Sequence, residues 1–66
     1  MTPENIYAFF KIKCYGLKDE VRQFKSHSNN SIILFMKDLG RPLIFTVTDS
    51  TKGFWKLEPY TGRGDS

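Results

Sequence analysis

Few side chains in this sequence can do covalent chemistry. There is one cysteine, Cys14, and one histidine, His27. A cysteine nucleophile needs a base to take its proton, and His27 is the one imidazole on offer. Nothing in the spacing joins the two, and Cys14 reads as a small buried hydrophobe. A single cysteine forms neither an intramolecular disulfide nor a thiolate metal cluster. Asp19 and Glu20 are adjacent, so on helix or strand they do not face each other, and they make no carboxylate dyad. Gly40-Arg41-Pro42 is turn chemistry; no helix start follows it, so it does not cradle phosphate. Arg63-Gly64-Asp65 matches the tripeptide that integrins bind in adhesion proteins, where the carboxylate completes a metal site on the receptor. Without a secretion signal, it reads as part of a polar tail and not as an integrin ligand. The expectation is a protein with no catalytic, cofactor-binding or metal-binding residues, which is not an enzyme.

Charge gives a weaker hint. Ten Lys and Arg against seven Asp and Glu leave a net charge of +3. The densest basic region holds Lys11, Lys13, Lys18, Arg22 and Lys25, interrupted by Asp19 and Glu20. If it tracks phosphates, binding weakens with salt at a log–log slope of about −0.9 per neutralised phosphate on duplex DNA. A patch this modest implies only weak nucleic-acid contact. A solvated surface is the simpler meaning.

These groups need a scaffold, and the chain is long enough for one small domain. With 66 residues, it buries only about 60% of the surface its unfolded form exposes. Ten aromatic residues argue against disorder and for a core built from a few large pieces. Residues 1–60 are expected to form the domain, and 61–66 a polar, glycine-rich tail. No basic region followed by an apolar run opens the chain, and its longest apolar run, Ile32 to Met36, is far too short to span a membrane. The expected location is the cytoplasm.

The second half reads as a meander. Strand-like runs cover Ser31–Asp38, Leu43–Asp49 and Phe54–Tyr60, separated by turns at Leu39–Pro42 and Ser50–Gly53. Alternation puts Leu43, Phe45 and Val47 on one face, with Trp55 and Leu57 together on the next run. Glu20–Ser26 forms a fourth strand, turned by His27-Ser-Asn-Asn30 because Asn tolerates left-handed backbone angles; its rival is a short helix through Leu17, Val21 and Phe24. Thr2-Pro3-Glu4 is a helix start, and Ile6, Phe9, Phe10, Cys14 and Leu17 continue at helical spacing. This predicts a helix over Pro3–Tyr15 with Gly16 as its C-terminal cap. The same residues also alternate as a strand would. The fold class expected is therefore α+β, one N-terminal helix on a three- to four-stranded antiparallel meander. The alternative is β-α-β-β-β with an N-terminal strand and a helix from Leu17 to His27.

Both faces of Ser31–Lys37 are apolar, and one helix covers only one of them. The other face predicts an interface involving Ile33, Phe35, Ile44 and Phe54, for a protein partner or a second copy of the chain.

The opening Thr2-Pro3-Glu4 with Ile6-Tyr7 and Phe9-Phe10-Lys11 resembles small accessory proteins of bacteriophages and prophages. So does the meander with Lys37-Asp38, Leu43-Ile44-Phe45 and Phe54-Trp55-Lys56-Leu57-Glu58. The resemblance covers about two-thirds of the chain and carries over no site residue. It implies a cytoplasmic protein of the host cell that acts by binding, as an inhibitor or regulator of a host or defence protein.

Overall fold

In a computed structural model the described residues are 1–61. The chain forms a helix α1 (Pro3–Lys13), a 3₁₀ segment (Tyr15–Glu20), and strands β1 (Val21–Ser28), β2 (Ser31–Met36), β3 (Leu43–Asp49) and β4 (Phe54–Pro59). The strands make one antiparallel sheet in the order β1-β2-β3-β4. This is the expected α+β meander with an N-terminal helix, and the N-terminal-strand alternative does not occur. The Arg63-Gly64-Asp65 motif and the rest of the tail beyond Thr61 lie outside the described residues.

Local chemistry starts α1 as the sequence predicts. The Asn5 N–H donates to Thr2 Oγ1 at 3.1 Å, and Pro3 occupies the first turn, where its missing N–H costs nothing. Such a cap contributes about 1 kcal/mol. Glu4 at the start and Lys11 and Lys13 at the end complement the helix dipole.

The helix ends differently. It stops at Lys13 instead of Tyr15, and Gly16 is no left-handed cap, since Gly53 alone among the described residues has positive φ. The freed carbonyls are taken up without one. The Cys14 N–H reaches Phe10 O at 2.7 Å, and the Leu17 N–H reaches Cys14 O at 2.8 Å, tightening the chain into the 3₁₀ segment.

The core lies between α1 and one face of the sheet. Ile6 and Phe10 meet Ile32, Leu34 and Met36 of β2 and Phe45 and Val47 of β3, all buried. Phe45 is the hub. Its ring lies edge-on to Phe10 at 5.2 Å and is flanked by Trp55 at 5.6 Å and Phe9 at 6.1 Å. Tyr7 stacks on Phe24 of β1 at 4.3 Å, fastening the helix to the first strand.

The β1–β2 loop is the pair Asn29–Asn30, and it works for a reason other than the expected one. Neither asparagine has a positive φ; the asparagine that matters acts through its side chain. Asn30 Nδ2 donates to Val47 O at 3.0 Å, and the Val47 N–H donates to Asn30 O at 2.8 Å, so the loop is bonded onto β3. A two-residue loop without left-handed residues splays its strands. The register shift between Ser26 and Ser28 absorbs the misfit.

The β3–β4 turn is organised by Asp49. Its Oδ1 accepts from the Thr51 hydroxyl at 2.7 Å, the Thr51 N–H at 3.1 Å and the Lys52 N–H at 3.3 Å, and Gly53 closes the turn at φ +76°. The Thr51 hydroxyl above all, with the two N–H groups, holds the Asp49 carboxyl below its ordinary value of 3.8, against an opposing desolvation effect. A carboxyl depressed in the folded state stabilises above its unfolded value, and that contribution is lost as pH falls through the folded one. The melting temperature of the wild type should therefore exceed that of Asp49→Asn at pH 6, with the gap closing as pH drops below about 4. A gap unchanged down to pH 2 would remove Asp49 as the titrating group.

Candidate functional site

The chemically able side chains are not gathered together. Cys14 packs against the core on the helix side, half-buried, and burial pushes its thiol up from the ordinary value. That disfavours thiolate and fits the hydrophobe reading. His27 stands on the opposite face of the sheet, where its Nδ1 lies 2.9 Å from Ser31 Oγ.

His27 belongs to a hydrogen-bonded chain whose proton order can be counted. Ser28 Oγ donates its one hydrogen to Asn30 Oδ1 at 2.9 Å. The Ser28–Ser31 hydroxyl contact, at 2.5 Å, must then run from Ser31 to Ser28. Ser31 Oγ, its own hydrogen spent, accepts from His27 Nδ1–H. In a nucleophile–base pair the hydroxyl donates to the imidazole; here the direction is reversed. Ser31 is also only 2% exposed. The network ties the first hairpin to β3 and does not activate a serine. Among the described residues, no three His, Cys, Asp or Glu side chains gather as a metal site.

The fold spreads the basic residues of the sequence over α1, the 3₁₀ segment and β1. Lys11 and Lys13 sit about 200° apart around α1. Lys11 lies over the Tyr7 ring at 5.1 Å, and Lys13 over Phe9 at 5.5 Å. Lys18 bonds Asp19 at 3.1 Å, and the Asp19 carboxylate raises its pKa. Lys25 pairs in register with Ile33, on the face turned away from the helix. Arg22 is displaced by a second register shift, between Val21 and Gln23. Lys11 and Lys18 thus both lie near Tyr7, while Lys25 is on the opposite face of the sheet.

Ile33, Phe35, Ile44 and Phe54 do fall on one face, opposite α1, as alternation requires. They differ in access. Ile33 is 3% exposed, Phe35 and Ile44 are half-buried, and Phe54 is 57% exposed. Ile33 is sealed although no helix lies over it. His27 of β1 and Tyr60, just past β4, meet ring to ring at 5.5 Å. His27 lies on β1 and Tyr60 follows β4, so the two rings meet on the face that also holds Ile33. The contact of Tyr60 with His27 was not legible, because it depends on where the end of β4 points.

Both sheet edges carry blunting features: β1 has two register shifts with Arg22 and Lys25, and β4 has one against β3, with Lys56, Glu58 and Pro59 along it. β4 pairs with β3 on one side only. It presents adjacent exposed aromatics, Phe54 on the face away from the helix and Trp55, 37% exposed, on the helix side. No helix of the described residues is long and apolar enough to cross a membrane. No protein-family model, curated protein or solved structure matches the chain.

Proposed function

We propose that this chain is a non-enzymatic protein-interaction module whose contact surface is the outer edge of β4. The observation that carries the reading is the pair Phe54 and Trp55, neighbours in sequence exposed on opposite faces of a strand that pairs on one side only among the described residues. Such an edge offers main-chain hydrogen bonds to an added strand, and aromatic residues supply the buried anchors typical of binding hot spots. The resemblance to phage and prophage accessory proteins makes a bacterial host or defence protein the partner class, with inhibition or regulation as the outcome.

The test uses Phe54→Asp, which leaves Trp55 on Phe45 and so spares the core. Co-purification of a partner from bacterial lysate should fall at least tenfold for Phe54→Asp with little change in melting temperature. Sedimentation of the purified chain separates self-association from capture of another protein. Undiminished capture by Phe54→Asp would remove β4 from the interface. Tight, salt-sensitive binding to generic DNA or RNA in its place would favour nucleic acid as the partner.

A further inference from the structure

Between the β2–β3 loop and the start of β1 lies a small, open pocket lined by two arginines distant in sequence. Its volume is about 80 Å³, and it is lined by Arg22 and Arg41, with Phe35, Leu39, Gly40 and Pro42 among the other walls. Arg22 is the extra residue between Val21, paired with Met36, and Gln23, paired with Phe35. Register shifts of this kind re-aim a side chain and often border functional sites. Arg41 comes from the loop whose end is fixed by the Tyr60 N–H donating to Pro42 O at 3.0 Å.

Among the described residues neither guanidinium is in an ion pair; the ion pairs are Lys18–Asp19 and Lys56–Glu58. Both arginines are exposed to solvent, and two like charges beside one pocket repel weakly. An oxyanion would neutralise both and accept the forked hydrogen bonds that guanidinium is shaped to give. Phe35, Leu39 and Pro42 add a small apolar part to a mostly polar lining, against which the group that carries it can rest.

We propose that this pocket binds a single oxyanion, a phosphate ester or a carboxylate, borne on a small apolar or aromatic group. The inference does not rest on the β4 reading and does not involve its residues.

The experiment is a ¹H–¹⁵N titration of the full chain with phenyl phosphate, benzoate and inorganic phosphate, against chloride at matched ionic strength. Shifts should concentrate at Arg22, Phe35, Gly40 and Arg41, and phenyl phosphate should bind more tightly than inorganic phosphate. Arg22→Ala and Arg41→Ala should each weaken binding about tenfold, the loss expected for a hydrogen bond to a charged group. Arg22→Lys, which keeps the charge and loses the fork, should fall between; Lys11→Ala and Lys25→Ala should change little. The stronger of phenyl phosphate and benzoate identifies the oxyanion. Shifts spread over the lysines, shifts matched by chloride, or binding that survives both arginine-to-alanine changes would overturn the proposal.

Discussion

Phe45→Ala should unfold this protein or leave it barely folded at room temperature. Phe45 is fully buried in the middle of β3 and touches the rings of Phe10, Phe9 and Trp55. Removing a buried phenyl ring costs about 3–5 kcal/mol, because the lost transfer energy is joined by the cavity left behind. A domain of this length draws about 3–5 kcal/mol from its core. The two figures are comparable, so the truncation takes most of the stability. Far-UV circular dichroism and urea titration should show a lost or sharply shifted transition. Phe45→Leu, which refills part of the space, should retain a cooperative transition at lower urea. A melting temperature near the wild-type value for Phe45→Ala would mean that the hub of the core lies elsewhere.

The position of Phe45 is also where sequence and structure agree best. Alternation along Leu43–Asp49 puts Phe45 and Val47 inward, and the strand has those bounds. Strand periodicity is reliable here because short turns at both ends leave the run no other way to bury its apolar side. The Thr2 cap is equally local, requiring only a hydroxyl and an N–H three residues apart. The helix C-terminus was harder to read. Gly16 offered a left-handed cap, but backbone bonds into the 3₁₀ segment make one unnecessary. Asn29 and Asn30 marked the right turn for the wrong reason, since Asn30 acts through Val47 of β3, a residue far away in the chain. The burial of Ile33 and the placing of Arg22 and Arg41 on one pocket depend on register shifts and on the path of the chain around the sheet. No periodicity carries that information.

The second large effect belongs to Phe10, which should matter almost as much as Phe45 and through the same contact. Phe10 is fully buried, meets Phe45 edge-on at 5.2 Å and lies beside Tyr7 at 5.9 Å. It is the deepest anchor of α1, and Ile6, one turn earlier, is the other buried residue of the helix. Phe10→Ala should cost about 3–5 kcal/mol and free the helix from the sheet. A four-stranded sheet stripped of its covering helix exposes its apolar face, so the variant should bind a hydrophobic dye and aggregate before it melts. The milder pair Phe10→Leu and Phe45→Leu then separates a specific ring contact from simple area. Edge-to-face rings add about 0.5–1.5 kcal/mol beyond burial. Once either ring is gone, removing the other no longer loses that term. The double variant should therefore be less destabilised than the sum of the singles, by an amount in that range. Strict additivity would show that Phe10 and Phe45 contribute only the apolar area each removes from water.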